Sequence, residues 1–472
     1  MKQTFLLLCF LTLFACRKDS ETTTENESNH IPKVFLIDDF EQTDEPVTAS
    51  VFGKVLNQNG YPVANAQVTL GSETLLTNDQ GVFLFRETTM NATGTFIQVE
   101  KKPFFFAGGT RFFPKEGSEN YVTIRLLPKE TGSSFRSDED VISEFEENLT
   151  IVLQANSLLL PNGTTYEGSV TPYIHQLRTE RENMIDFLPG NLQGIDRTSK
   201  EVALSTFGAV ALDFYSENGE RLSLDEEKKV ELSFLVSENH LAIAPEKIST
   251  WFFNEGYGLW QEQGDFVLEE GKYTGVIKQL GFFQLAVPSP KVSLSGSLQN
   301  QNEQPFPNLQ IKITDEESLI SSFAYTDNEG FFNLPIPSDK SIKLNVLLSE
   351  SDCQVFEQAE EIVSTDKNLG NIILSETNTL ALTSVTGTLV DCVTENISDY
   401  FVEVITEPQD YCYYNLNGNQ INLSVPICNG GDVLSVNIKD MNDIHESGIL
   451  TADLGVDLDL GETLLCGDGE AD

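Results

Sequence analysis

Basic residues, histidine and tryptophan are all scarce in this chain. Only 29 Lys and Arg stand against 73 Asp and Glu, for a formal net charge of −44. Such a surface repels phosphate backbones and offers no basic stripe, which excludes a nucleic-acid partner. It suits a heavily solvated exterior, since net charge speaks to solubility before it speaks to a site. The four histidines (His30, His175, His240 and His445) lie far apart, each expected in a loop or on the surface. No C-x-x-C occurs, so a zinc centre has no ligand set. H-E-x-x-H, G-x-S-x-G and G-x-x-x-x-G-K-[ST] are also missing, which removes the zinc-peptidase, serine-hydrolase and phosphate-loop templates. With 73 acidic residues, carboxylates paired in sequence say nothing about a glycosidase. The expectation is no catalytic residue, no metal and no cofactor. Beyond the N-terminus, no apolar run is long enough for a membrane-spanning helix.

What is present is length, phenylalanine and alternation. The 472 residues suffice for three or four domains, each able to bury its own core. Apolar residues make up 40 % of the chain and Phe alone numbers 31, a composition suited to globular β domains. The N-terminus opens positively with Met1-Lys2-Gln3 and continues as an apolar run from Phe5 to Phe14. That run is too short for a permanent membrane helix and reads as a secretion signal over residues 1–15. Its close, Leu13-Phe14-Ala15-Cys16, resembles a bacterial lipobox, with Phe14 where a small residue is usual. The resemblance implies that Cys16 is lipidated and becomes the first residue of the mature protein. Acyl chains contribute about 0.8 kcal/mol per buried CH₂, so a multiply acylated Cys16 holds a protein on a membrane stably. Residues 16–46 are polar and acidic and read as a disordered tether. The Arg17-Lys18-Asp19 start with Glu21 resembles the charged export tags of Bacteroidota surface lipoproteins, implying outward display from the outer membrane.

A first domain spans residues 47–129. Val51, Gly53 and Val55 begin an alternating strand, Asn57-Gln58-Asn59-Gly60 makes a turn, and Val63, Ala66, Val68 and Leu70 resume the pattern. A second turn, Asn78-Asp79-Gln80-Gly81, precedes Val82-Phe83-Leu84-Phe85. Period-two patterning with closely spaced turns predicts a small antiparallel sandwich. The opening G-x-V, the N-G-x-P-V-x-x-A-x-V stretch and T-x-D-x-G-x-F (Thr77 through Phe83) resemble the carboxypeptidase regulatory-like domain. The resemblance implies a transthyretin-like sandwich without catalytic groups.

The module returns over residues 291–376, where Gly296-Ser297-Leu298 opens it and Thr326-Asp327-Asn328-Glu329-Gly330-Phe331 matches Thr77 onward. A third copy, 380–472, opens with Thr386-Gly387-Thr388-Leu389. The ends repeat as well: Asn368 to Leu374 (NLGNIIL) parallels Asp459 to Leu465 (DLGETLL). Repetition at roughly 90 residues means tandem domains rather than a solenoid. Between the copies lies a larger unit, 130–290, with strands at Leu149–Leu153 and Val230–Leu235 and a distinctive Thr250–Trp260 stretch. It is similar to the extracellular sandwich of cartilage intermediate layer proteins. Some relatives there cleave themselves at a His-Phe-Ser tripeptide. Matching Tyr273-x-Gly275 puts Gln279-Leu280-Gly281 at that place, with neither base nor nucleophile, so the chain is expected to stay whole.

An exported compartment permits disulfides. Cys392, Cys412, Cys428 and Cys466 are candidates for two bridges in any of three pairings, and Cys353 is left over. Asp453, Asp457, Asp459 and Glu462 cluster without a D-x-D-x-D-G loop, and Asp457 and Asp459 are expected to share a solvent-facing strand side. Phe104–Phe106, Phe112, Phe113, Tyr411, Tyr413 and Tyr414, like Trp251 and Trp260, are expected in sandwich cores or at their rims. The whole reads as an all-β chain of tandem antiparallel β-sandwiches, transthyretin-like or Ig-like, after a lipoprotein signal and tether. The expected role is a non-enzymatic, lipid-anchored surface module for interaction, scaffolding or adhesion, with a membrane contact at Cys16 and an extracellular protein or glycan as partner. The alternative is a glycan-binding accessory subunit of an outer-membrane nutrient-uptake system.

Overall fold

In the first strand Val51 and Val55 turn into a sandwich core while Phe52 turns out of it, as the pleat requires. The computed structural model describes residues 43–145, 149–181, 184–318, 320–348, 353–375, 380–391, 400–406, 410–416, 418–428, 433–441, 446–453 and 456–465. The first module contains β1 (Pro46–Leu56), β2 (Gln67–Leu70), β3 (Glu73–Leu76), β4 (Val82–Asn91), β5 (Thr95–Glu100), β6 (Gly108–Phe112) and β7 (Glu119–Arg125). A three-stranded sheet, β4-β1-β7, faces a four-stranded one, β3-β2-β5-β6. All pairs are antiparallel except β1 with β7, the first strand with the last, which run parallel.

The larger unit follows with β8 (Phe135–Arg136), β9 (Val141–Phe145), β10 (Leu149–Leu153), β11 (Leu158–Leu159), β12 (Ser169–Leu177), β13 (Gln193–Ile195) and β14 (Glu201–Ser216). It continues with β15 (Ser223–Leu224), β16 (Val230–Leu235), β17 (Lys247–Asn254), β18 (Leu259–Glu269), β19 (Lys272–Ile277) and β20 (Gly281–Gln299). Ten of these pair in the order β8-β12-β14-β20-β17-β18-β19-β16-β10-β9. β14 lies mid-path and is buried along nearly its whole length, so it reads as a continuous apolar run rather than an alternating one. Helix among the described residues is confined to short turns at Met184–Phe187 and Glu238–Leu241. None is long and apolar enough to cross a membrane.

β20 does not stop where the next module starts. Its Gly281–Pro290 part pairs with β14 and β17, and its Lys291–Gln299 part pairs with β23 (Phe331–Pro337) and, in parallel, β26 (Lys367–Ile373). With β21 (Gln310–Asp315), β22 (Ser321–Tyr325), β24 (Lys340–Leu347) and β25 (Gln354–Val363) this gives sheets β23-β20-β26 and β22-β21-β24-β25. The last module repeats the plan. Its strands are β27 (Leu380–Asp391), β28 (Tyr400–Thr406), β29 (Asp410–Leu416), β30 (Gln420–Cys428), β31 (Val433–Asp440), β32 (Leu450–Asp453) and β33 (Leu458–Leu465). They form sheets β30-β27-β33 and β29-β28-β31-β32, again with first and last strands parallel. The chain is therefore an all-β string of tandem β-sandwiches, three of them sharing one topology.

The repeated motifs are the local chemistry of that topology. Thr77 Oγ1 donates to Val63 O and accepts from Ala66 N, and Thr326 does the same with Phe306 O and Leu309 N. The next residue closes the turn: Asn78 Oδ1 accepts from Gln80 and Val82, and Asp327 Oδ1 accepts from Glu329 and Phe331. Gly81 and Gly330 both sit at φ +72°, and a Cβ there would stand 2.5 Å from Val55 O and 2.3 Å from Leu298 O. Only glycine meets both conditions. Each module has its own apolar core, built on Val51, Phe83 and Ile97 in the first, Leu294, Phe306 and Phe332 in the third, and Val385, Val402 and Val425 in the fourth.

Candidate functional site

The outer face of sheet β4-β1-β7 is not solvated. Phe52, Val82 and Tyr121 on that face form a buried cluster with Phe401 of the fourth module, and Tyr325 of the third packs against it. The Phe52 ring lies 6.1 Å from Phe401 and 6.0 Å from Tyr121, and Tyr121 meets Tyr325 edge-on at 5.2 Å. Three modules that share a topology thus converge on one aromatic centre. The third module's repeated turn is part of the contact. Asn328 N donates to Glu119 O, and Glu119 N donates to Asn328 Oδ1, both at 2.9 Å. Lys115 Nζ lies 3.2 Å from Asp327 and 3.3 Å from Glu329, and sits 3.9 Å above the Phe331 ring. Burial raises the Asp327 pKa above its ordinary value, although backbone donors and Lys115 oppose the shift.

Beside this centre the three modules leave a cleft of about 340 Å³. Its walls carry five amide side chains: Asn120 of the first module, Gln304, Asn308 and Asn328 of the third, and Asn422 of the fourth. Ser384 and Ser424 add hydroxyls, while Pro305, Pro307 and Leu423 add apolar surface above the Phe52 floor. Among the described residues that line the cleft, Glu119 is the one ionisable residue. Several amides are already oriented by the fold. Asn120 Nδ2 donates to Ser50 O and Ser118 Oγ, Gln304 Oε1 accepts from Asn300 Nδ2, and Asn328 Oδ1 accepts from Glu119 N.

Charged groups gather at other module contacts, where they act as struts. Between the first module and the larger unit, Lys129 Nζ meets Asp213 at 2.9 Å and donates to the Tyr215 hydroxyl at 2.7 Å. Burial works against its charge, but Asp213 and Tyr215 outweigh it and hold the Lys129 pKa above the ordinary value. Asp213 also accepts from Arg221 at 2.6 Å. Arg111 donates to Tyr257 O and Thr93 O, and burial lowers its pKa to about 10. Gln98 Nε2 donates to Glu255 Oε2 at 3.0 Å; burial raises the Glu255 pKa despite the opposing pull of Arg221. Toward the third module, Lys291 pairs with Glu201, and Ile320 enters the larger unit's core beside Trp251 and Trp260.

The residues singled out from sequence are distributed as follows. Cys16, Cys392 and Cys466 lie outside the described residues; Cys412 and Cys428 fall on β29 and β30. Cys353 is not left over: it is disulfide-bonded, and its partner is not among the described side chains. The expectation of surface histidines fails at two positions. His175 lies buried in β12, and His240 is buried with Nε2 2.9 Å from Ser318 O and Nδ1 3.0 Å from Thr179 Oγ1, stapling the third module's loop to the larger unit. The isolation of His240 in sequence concealed this because its partners are a backbone carbonyl and a hydroxyl. Trp251 and Trp260 are fully buried, with indole N–H groups donating to Ala286 O and Asn191 O. Phe106 joins a core, but Phe104 stands 64 % exposed on the turn before it, against expectation. Asp457 and Asp459 are exposed and bond the backbone, Asp457 accepting from Ser384 N and Asp459 from Gly461 N. Among the described residues no group of three or more His, Cys, Asp or Glu is placed to hold a metal. Gln279 and Leu280 are buried just before β20. The cleft itself escaped sequence reasoning, although Phe52, Val82, Leu84 and Tyr121 at outward positions signalled a covered sheet.

No protein-family model matches the chain. It is 26 % identical over 227 residues to human cartilage intermediate layer protein 1, a match covering 45 % of this chain and 18 % of that protein. Among solved structures, the Bacillus anthracis TIE protein is similar at 10 % identity and a TM-score of 0.18, covering 72 % of this chain and 76 % of its own. The minor pilin of Streptococcus agalactiae is similar at 9 % identity and a TM-score of 0.17, covering 38 % and 99 %. The fold assignment rests on the sheets described above.

Proposed function

We propose that this chain is a non-enzymatic lipoprotein, anchored at Cys16 in the outer membrane and displayed at the cell surface, where its sandwiches serve as an interaction, scaffolding or adhesion module. The observation that carries the reading is the convergence of three like-folded modules on Phe52, Tyr121 and Phe401, which builds a shared surface rather than a row of separate beads. The lipobox-like Leu13-Phe14-Ala15-Cys16 and the acidic tether behind it support anchoring and outward display. The common three-plus-four topology supports assigning the three modules to the carboxypeptidase regulatory-like group. The charged clusters support a structural role, since Lys129, Asp213, Arg221 and Arg111 each tie one module to another or to itself.

The test is anchoring followed by phenotype. Cys16→Ala is expected to move the protein from the membrane pellet to the soluble fraction; persistence in the pellet would count against lipidation. Deletion of the gene is expected to reduce attachment of cells to surfaces or to one another, and full attachment without the protein would overturn the adhesive role.

A further inference from the structure

We propose that the cleft between the three like-folded modules binds a neutral, hydroxyl-rich oligosaccharide. The inference rests on the interaction role above and names the chemistry of its ligand. Charge comes first. In a chain of net charge −44 with 22 % charged residues, the described residues lining the cleft include one ionisable side chain, Glu119. One carboxylate makes no cage for a cation, and the acidic field around the cleft disfavours an anion. What is left is an uncharged polar ligand.

The walls then select among uncharged ligands. Each of the amides of Asn120, Gln304, Asn308, Asn328 and Asn422 presents a donor and an acceptor side by side, and each serine hydroxyl does both. A sugar hydroxyl is also donor and acceptor at once. Three of the amides are held by one end: Asn120 through Nδ2, Gln304 through Oε1 and Asn328 through Oδ1. That leaves Oδ1 of Asn120, Nε2 of Gln304 and Nδ2 of Asn328 for a ligand, already oriented, which lowers the entropy lost on binding. Pro305, Pro307 and Leu423 offer the apolar surface that the C–H face of a sugar ring requires. The volume, about 340 Å³, falls at the small end of ligand sites. A peptide would add itself to an open strand edge. The β7 edge is closed at Glu119, whose N and O are both taken by Asn328, while β30, which brings Asn422, Leu423 and Ser424 to the cleft, pairs on one side with β27. The peptide panel below tests that edge.

The experiment uses the full chain in detergent. It is applied to an array of neutral glucans, galactans, mannans and xylans beside uronic-acid-bearing and sialylated glycans, with an immobilised peptide library as a second panel. Expected is binding to one class of neutral glycan, weakened about tenfold by Gln304→Ala and again by Asn422→Ala, each step being about 1.4 kcal/mol. Both side chains are exposed, so the fold tolerates their loss. Ile142→Ser, 75 % exposed on the remote strand β9, is expected to leave binding unchanged. Binding to peptides or to acidic glycans alone would overturn the proposal, as would silence on both panels or neutral-glycan binding that survives the double substitution. Attachment lost on gene deletion despite a silent array would defeat the glycan ligand and spare the interaction role; intact attachment would defeat that role.

Discussion

Glu255 shows how a single carboxyl can sit against the grain of its surroundings. It lies where the first module meets the larger unit, accepting from Gln98, and burial raises its pKa while Arg221 pulls the other way. In the unfolded chain its pKa is the ordinary 4.5, and in the folded chain it is higher. A carboxyl of that kind favours the native state fully below the unfolded value, and the benefit is lost as pH rises through the folded value. Glu255→Gln keeps an oxygen for Gln98 and removes the charge. The difference in thermal midpoint, variant minus wild type, is therefore expected to be more positive at pH 7 than at pH 4. Thermal unfolding at both values checks it; a difference that moves the other way would mean that Arg221 outweighs burial.

At the scale of the element, β20 is decisive because it belongs to two sheets at once. Pro288, Ser289 and Pro290 stand just before the domain boundary read from the sequence at 290/291, yet they pair with Leu204, Ala203 and Val202 of β14. The prolines are tolerated because pairing with β17 ends at Ala286 and pairing with β23 begins at Lys291, leaving β20 a neighbour on one side only. Inserting Gly-Ser-Gly between Pro290 and Lys291 is expected to split a shared calorimetric transition of the larger unit and third module into two. A single unaltered transition would show that Ile320 and His240 suffice to couple them. The repeats were legible because their turns are fixed by local chemistry, such as the Thr77 and Thr326 hydroxyls and glycines at φ +72°. The paired ends were legible for a similar reason: Asn368 and Asp459 cap Gly370 and Gly461, where the last strand shifts register against the first. The continuity of β20 was not legible, since it depends on which neighbours a proline faces.

In the whole molecule, contacts join residues that no local pattern connects. Phe52 and Phe401 are separated by most of the chain and meet in one cluster. Alternation puts Phe52 opposite the inward Val51 and Val55, but no local pattern shows what covers that face. Replacing a buried Phe by Ala typically costs about 3–5 kcal/mol. Here that loss falls on a contact between modules, because the fourth module's core is built on other residues, among them Val385, Val402 and Val425. Phe401→Ala is expected to release the fourth module from the first and to increase the radius of gyration measured by small-angle X-ray scattering. An unchanged radius with a lowered thermal midpoint would assign Phe401 to its own module instead.

The parallel pairing of first and last strands decides how each of these modules meets a mechanical load. The chain enters the first module along β1 and leaves it along β7, and the two lie side by side from Ser50 with Glu119 to Leu56 with Arg125. Because they point the same way, entry and exit stand at opposite poles. Tension between the poles drags one strand lengthwise along the other, so the rungs of the ladder share the force instead of opening one by one. The pairs β20 with β26 and β27 with β33 repeat the arrangement. Were the chain held at its two ends, the parallel pair in each of these three modules would take the load in shear.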